Sequence, residues 1–200
     1  MLPRWSRSSA APPLVRHTRR VLRVLSVPAV AALLLAGCGR EPAEPAASAP
    51  STITVTVTSS AFAAGAPIPV EFSCRGANTS PPLSWTGVPG QTAALALVVD
   101  DPDAPHGTYR HWVVVDIPPA ATAAPAGQPP PGGRQLPNSA GHARYDGPCP
   151  PSGTHRYRFT VYALSRTLGL PADASLDDAL RAIDATTLVR GRLEGTFSHG

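Results

Sequence analysis

The segment Asp100–Pro118, DDPDAPHGTYRHWVVVDIP, joins a stiff polar loop to an apolar strand. Three aspartates and two prolines come first, and His111 stands directly before the apolar run Trp112–Ile117. That run has the composition of a buried strand. Because prolines hold a loop rigid, side chains in such a loop lose little conformational entropy when a ligand binds. The segment therefore predicts a candidate binding site at the edge of a β-sheet.

A second segment, GHARYDGPCPPSGTHRYRFTVYAL at Gly141–Leu164, has the same arrangement. A loop rich in Pro and Gly again leads to a histidine, His155, at the entrance of an apolar strand. Two strands that both carry a histidine at the entrance could face each other across one end of a sandwich. His111 and His155 are therefore expected to share one site.

Short apolar runs separated by Pro, Gly and Asn predict a mainly β domain. The segment TITVTVTS, which begins at Thr52, alternates Thr with Ile or Val as a half-buried strand does. Further strands are predicted at Ile68–Phe72, Ala94–Val99, Trp112–Ile117, Tyr157–Leu164 and Thr187–Leu193. This pattern favours an antiparallel β-sandwich over an alternating α/β chain.

One helix and one long loop complete the predicted domain. In SLDDALRAID, Ser175 and Asp178 form an acidic capping box, and the apolar residues share one face. Residues 118–137, PPAATAAPAGQPPPGGRQLP, predict a long irregular loop. Loops of this length inside a compact domain are usually functional or mobile.

The N-terminal region divides into two parts that precede the domain. Residues 1–37 contain six arginines, no acid and the short apolar stretch Val24–Ala36, which is typical of a secretory signal peptide. The sequence Leu-Ala-Gly-Cys that ends at Cys38 resembles a bacterial lipobox and implies lipidation of that cysteine after cleavage. Residues 38–51, rich in Pro and Ala, predict a tether, and residues 52–200 the folded domain.

This organisation predicts export and attachment to a membrane that faces the periplasm. Gly39 follows the cysteine, where Asp is the familiar inner-membrane retention signal, so outer-membrane sorting is favoured. The chain has 17 basic residues and 13 acids, but the mature part retains only 11 arginines. A mature domain near neutrality lacks the basic surface that nucleic-acid binding requires.

The motifs of common hydrolases and metal sites are absent from the sequence. It contains no G-x-S-x-G elbow, and it has neither H-x-x-x-H nor C-x-x-C spacing for a metal. We therefore expect no catalysis, no cofactor and no metal. Cys74 and Cys149 remain as a pair in an exported domain, and the sequence leaves open whether they are bonded.

Several ordered motifs resemble the phosphatidylethanolamine-binding protein family, and in particular its bacterial Raf-kinase-inhibitor-like branch. They are DPDAP at Asp101–Pro105, His111-Trp112, and GPCPPSGTHRY at Gly147–Tyr157. FSCRGANTSPPLSW at Phe72–Trp85 is similar to the N-terminal signature, and LEGTF at Leu193–Phe197 to the final strand. The resemblance covers about residues 52–197.

The resemblance implies a large central sheet packed on a smaller one, a few short peripheral helices, and a surface pocket for small anions or phosphoryl headgroups. The family's ligand-binding positions map here to Asp101, His111, Pro150, His155 and Tyr157. The family also suggests a cis Ala104–Pro105 peptide bond. Eukaryotic members have a C-terminal helix at the pocket edge, whereas this sequence stops just after the final strand.

Elementary chemistry agrees with an anion site at these residues. Phosphoryl oxygens accept hydrogen bonds from imidazole and phenol donors, and histidine can carry positive charge near neutral pH. Asp101 would repel an anion directly, so it is expected either to orient a histidine or to accept a headgroup ammonium. The alternative function is inhibition or regulation of a protease or kinase, with the loops around the pocket binding an unidentified protein partner.

Overall fold

The computed structural model describes residues 54–171 and 173–199. The predicted signal peptide, the predicted lipidation site Cys38 and the predicted tether lie outside these residues. The described chain forms two antiparallel sheets, as predicted, together with one α-helix. Its strands are β1 Thr56–Thr58, β2 Leu83–Thr86, β3 Ala94–Asp101, β4 Tyr109–Ile117, β5 Ala123–Ala124, β6 Arg134–Leu136, β7 Thr154–Leu164 and β8 Thr187–Ser198.

The larger sheet has the strand order β6-β4-β3-β7-β8, and the smaller sheet has the order β1-β2-β5. All eight residues of β3 are buried, because this central strand is covered on both faces. Its residues Leu95, Leu97 and Val99 belong to the core shared with the smaller sheet. Ala96 and Val98 point the other way and pack in a second cluster beneath the helix.

The helix, α1 at Leu176–Thr186, lies over this second cluster, to which it contributes the buried residues Ala179 and Ile183. Ser175 is its N-cap, and the Ser175 hydroxyl accepts a hydrogen bond from the backbone N–H of Asp178 at 3.1 Å. The predicted cap is confirmed. In the described part of the chain, no helix has the length and apolar character needed to cross a membrane.

We expect Ser175→Ala to lower the free energy of unfolding by about 1 kcal/mol, because the Asp178 N–H loses its capping acceptor. Ser175→Gly is the matched control, since glycine at an N-cap costs only a few tenths of a kcal/mol relative to serine. Urea unfolding of both variants checks this prediction. Equal losses in the two variants would contradict a capping role.

Two predicted elements differ from the structure. The strand predicted at Ile68–Phe72 is instead a short 3₁₀ helix at Val70–Phe72, preceded by Pro69. Proline has no N–H for a ladder hydrogen bond and fixes φ near the helical value, which explains this outcome. The loop predicted at 118–137 contains the short strands β5 and β6, which pair with β2 and β4.

Strand pairing explains why the loops of interest meet. β3 lies between β4 and β7 and is antiparallel to both. Asp101, the last residue of β3, is therefore paired with Tyr109 at the start of β4. Asp100 is paired with Arg158 near the start of β7. The end of one strand and the beginnings of two others consequently form one edge of the domain.

Candidate functional site

A cavity of about 430 Å³ opens at this edge and contains four of the five predicted ligand-binding residues. Asp101, His111, His155 and Tyr157 all line it. Both histidines lie inside their strands rather than before them, because β4 and β7 begin at Tyr109 and Thr154. Residues two apart on a strand point to the same side, so His155 and Tyr157 are presented together.

Asp101 holds His155 in place through a buried hydrogen bond. His155 Nδ1 and Asp101 Oδ2 are 2.7 Å apart, and both side chains are almost completely buried. Asp101 Oδ1 accepts a second hydrogen bond, from the backbone N–H of Asp103 at 2.8 Å. Because a carboxylate only accepts, the Nδ1 proton of His155 is fixed and its Nε2 is left for other partners.

His111 is oriented by a backbone carbonyl. Its Nδ1 donates to the carbonyl oxygen of Asp146 over 2.7 Å. Burial lowers the pKa of His111 below its ordinary value of 6.5, although the Asp146 carbonyl and the nearby carboxylates oppose this shift. A neutral His111 with a proton on Nδ1 presents the lone pair of Nε2, whereas a protonated His111 presents a second N–H donor.

Tyr157 contributes a buried hydroxyl that forms no hydrogen bond of good geometry within the described residues, although the Asp101 carboxylate and the Cys149 backbone lie near enough to affect its pKa. Burial raises the pKa of Tyr157, and the negative charge of Asp101 raises it further. The phenol therefore remains protonated at neutral pH. Its ring meets the ring of His111 edge-on, with centroids 5.3 Å apart. A buried phenol facing a cavity in this way can donate a hydrogen bond to a group inside the cavity.

Three further residues line the cavity that the sequence did not single out: Tyr109, His142 and Asp146. Tyr109 lies two residues before His111 on β4, and their ring centroids are 4.8 Å apart. The period-two spacing of a strand was the available signal for Tyr109. Burial raises the pKa of Tyr109, and the Asp146 charge adds to this effect.

The Asp146 carboxylate organises the rim of the cavity. Asp146 Oδ2 accepts from His142 Nδ1 at 2.7 Å and from Asn138 Nδ2 at 2.8 Å. Asp146 Oδ1 accepts from Arg144 Nε at 3.1 Å. These hydrogen bonds lower the pKa of Asp146 against the opposing effect of burial. No residue spacing in the sequence predicts this cluster, because the cluster depends on the path of an irregular loop.

A second wall of the cavity, which includes Gly147 and Cys149, is linked to the segment that follows the 3₁₀ helix. Cys74 and Cys149 form a disulfide, with Cα atoms 5.5 Å apart, which answers the question that the sequence left open. Gly147 N–H donates to Asn78 Oδ1 over 2.7 Å. A Cβ at Gly147 would lie only 2.5 Å from the carbonyl oxygen of Phe72, so a larger residue would push the wall outward.

Two predictions about this wall are not matched by the structure. Pro150 does not line the cavity; the neighbouring Pro151 does, and Pro150 instead borders a separate cavity beyond the disulfide. The predicted cis bond at Ala104–Pro105 is wrong, since the described residues contain no cis peptide bond. The turn is formed by the Asp103 N–H bonded to Asp101 Oδ1 and by Gly107, which has a φ of +99°.

The cavity therefore contains side chains that the protein orients and whose hydrogen-bonding groups are only partly paired within the protein. Hydrogen bonds at Nδ1 orient both His111 and His155, and their Nε2 atoms form none within the described residues. The described residues contain no cluster of three His, Cys, Asp or Glu side chains that could hold a metal ion. The arrangement can accept a ligand that both donates and accepts hydrogen bonds.

Comparison with known proteins supports the resemblance seen in the sequence. The family model described as "Phosphatidylethanolamine-binding protein" matches residues 58–198. The "Putative lipoprotein LppC" of Mycobacterium tuberculosis is 50% identical over 151 residues, covering 74% of this chain and 75% of that protein. The "UPF0098 protein" of Methanothermobacter thermautotrophicus is 46% identical over 138 residues, covering 66% of this chain and 91% of that protein.

The fold agrees with solved structures as well. YbcL from E. coli, described as a new member of the mammalian PEBP family, superposes with a TM-score of 0.69 at 31% identity. The match covers 73% of this chain and 99% of that structure. The family match extends across both sheets and every strand and loop that builds the cavity. The chain therefore belongs to the phosphatidylethanolamine-binding protein family.

Proposed function

We propose that this protein binds small anions or phosphoryl headgroups in the cavity between β4 and β7 and does not alter them chemically. The observation that carries this proposal is the convergence on a single cavity of two imidazoles, each oriented through Nδ1, and the buried Tyr157 hydroxyl. A monoanionic phosphate has oxygens that accept from Tyr157 and from a protonated imidazole. It also has a hydroxyl that can donate to a neutral imidazole.

The contacts of Asp101 favour one of its two expected roles. Each of its carboxylate oxygens already accepts a hydrogen bond, one from His155 and one from the Asp103 backbone. The Asp101 side chain is also almost completely buried, which disfavours contact with a headgroup ammonium, so we assign Asp101 to orienting His155. This assignment places the carboxylate behind the imidazole, where it fixes the ring so that Nε2 is left for the cavity.

The proposal is tested by following the histidine resonances in an NMR titration with inorganic phosphate and with phosphoryl-ethanolamine. We expect His111 and His155 to shift together, while His106, an exposed residue that does not line the cavity, serves as the internal reference. Phosphorus NMR of the same samples should show the ligand unchanged after prolonged incubation. Shifts confined to His106, or hydrolysis of the ligand, would overturn the proposal.

We further propose that the protein is anchored through lipidated Cys38 and faces the periplasm, with the outer membrane as its destination. The lipobox-like sequence supports this location, and so does the name of the mycobacterial lipoprotein relative. The tether at 38–51 would reach at most about 45 Å if fully extended, enough to hold the cavity clear of lipid headgroups.

Cys38→Ser should release the protein from the membrane fraction, because the acyl chains have no other point of attachment in this proposal. Fractionation of cells followed by immunoblotting measures the distribution. Replacement of a second leader-proximal residue, Ser48→Ala, is the matched control and should leave the protein in the membrane fraction. Retention of the Cys38→Ser variant at the membrane would contradict the anchor.

A further inference from the structure

The Cys74–Cys149 disulfide forms a wall shared by two cavities. A second cavity of about 310 Å³ shares Cys74, Cys149 and Pro151 with the anion cavity. Arg75 and Phe197 line its far side, with the guanidinium 4.7 Å from the ring centroid. Both cysteines are exposed to solvent. The disulfide is consequently reachable by small molecules that enter the anion cavity.

The wall does not depend on the disulfide alone. The Tyr145 hydroxyl donates to the Phe72 carbonyl at 2.9 Å, and this bond is buried. Gly147 N–H donates to Asn78 Oδ1 at 2.7 Å. The Cys74 N–H donates to the Pro148 carbonyl at 3.1 Å. These hydrogen bonds join the same two segments, so we expect both segments to stay in place when the sulfur–sulfur bond is broken.

The anion cavity also contains groups that thiol–disulfide exchange requires. The attacking species is a thiolate, so a site that attracts anions and accepts a proton favours the reaction. His111 presents an Nε2 lone pair when neutral, because its Nδ1 proton is committed to the Asp146 carbonyl. His155 is held in the corresponding orientation by Asp101 and lines the same cavity.

We propose that the Cys74–Cys149 disulfide is a thiol-exchange site, and that its reactants are small thiols carrying a separate anionic group that docks in the adjacent cavity. The proposal rests on the proposed anion site. It adds a covalent modification of the protein at one of its two cavity-lining sulfurs, while the anionic group of the reactant remains chemically unchanged.

The exchange balances without any further oxidant. A docked thiol gives its proton to an imidazole Nε2, and the resulting thiolate attacks one sulfur of the disulfide. A new sulfur–sulfur bond forms between the small molecule and that cysteine, and the other cysteine leaves as a thiolate that takes up the proton. A second molecule of the same thiol can release the first as its symmetric disulfide and leave two protein thiols.

Cleavage would change the shape of the binding region. The two cavities are separated by the disulfide that they share, so freed cysteine side chains could rotate away from the boundary. An anion bound in the first cavity would then adjoin the apolar and cationic lining of the second. The redox state of this bond thereby becomes a control on the size of ligand that the protein accepts.

The test uses the intact oxidised protein and three small thiols of similar size: anionic mercaptoethanesulfonate, neutral mercaptoethanol and cationic cysteamine. Loss of the disulfide is followed by mass spectrometry after acid quenching, and rates are compared at equal thiolate concentration. We expect mercaptoethanesulfonate to react about tenfold faster than mercaptoethanol, the effect of one charge-assisted hydrogen bond in docking. Its rate should saturate with concentration and should fall when inorganic phosphate is added.

A Cys74→Ser, Cys149→Ser double variant is the matched control, and it should gain no mass from any of the thiols. Equal rates for the three thiols, or a rate order that phosphate does not change, would overturn the exchange proposal. The same samples are titrated with dimethyl phosphate while the histidine resonances are recorded. If dimethyl phosphate binds but the three thiols react at equal rates, the proposed anion site is supported and the exchange proposal is contradicted. Selective, saturable exchange without diester binding supports the exchange and removes phosphodiesters from the phosphoryl ligands proposed for the cavity.

Discussion

Asp101→Ala should lower the free energy of unfolding by about 2–6 kcal/mol, because two N–H donors lose their acceptor and each unsatisfied group costs about 1–3 kcal/mol. The His155 Nδ1–H and the Asp103 N–H both lose their acceptor, and His155 is too deeply buried for water to replace it easily. Urea unfolding at neutral pH, monitored by tryptophan fluorescence, measures the loss.

Asp101→Asn is the matched control for this prediction. Its side-chain oxygen can still accept from the Asp103 N–H, but its amide group cannot accept from His155. We expect a smaller loss of stability and an exchange of the His155 proton from Nδ1 to Nε2, visible in the nitrogen chemical shifts of the ring. If Asp101→Ala and Asp101→Asn are equally stable, the buried pair does not have the role assigned to it.

The sequence was most informative where the chain is regular. The apolar run Trp112–Ile117 predicted the interior of β4, because every residue of a covered strand is apolar except where the strand ends. The sequence placed the two histidines directly before their strands, whereas both are buried and lie within the first three residues of β4 and β7. Spacing of two along a strand then brings Tyr157 to the side of His155 without further information.

The sequence was least informative where the site depends on loop geometry. His142 lines the cavity because its loop is held by the hydrogen bond between His142 and Asp146. No periodic pattern in the sequence predicts the path of such a loop. Pro150 and Pro151 are adjacent and chemically identical, so only the backbone direction decides which one lines the cavity. The Ala104–Pro105 bond shows the same limit, because either isomer is compatible with a proline-rich turn.

Lowering the pH from neutral into the mildly acidic range should strengthen binding of a phosphodiester. Burial lowers the pKa of His111, so this residue is neutral at neutral pH and becomes a cation only in mildly acidic solution. A bound anion favours the protonated ring, so affinity is greatest below the His111 pKa and falls as pH rises through it. A phosphodiester is the appropriate ligand because its own charge does not change in this range.

The other ionisable groups that line the cavity are consistent with attributing the pH dependence of binding to a histidine. Asp146 has a lowered pKa, and Tyr109 and Tyr157 have raised ones, so these three groups do not change charge in mildly acidic solution. Asp101 is the remaining carboxylate that lines the cavity, and it is almost completely buried. His142 and His155 are the remaining imidazoles of the cavity. The pH effect is therefore expected to come from histidines, and variants can separate their contributions.

His111→Gln supplies an uncharged side chain that cannot titrate, and it should remove the part of the pH dependence that belongs to His111. His142→Gln is the matched control at the rim, where the side chain is exposed. His155→Ala should weaken binding at any pH by about 1.5–3 kcal/mol, the value of a hydrogen bond to a charged group. Isothermal titration calorimetry across the acidic range measures all three variants.

If the diester binds His111→Gln and His155→Ala as tightly as it binds the parent protein, the ligand does not occupy this cavity. If instead only His142→Gln loses the pH dependence, the cation that strengthens binding lies on the rim, and a neutral His111 forms no hydrogen bond with the diester.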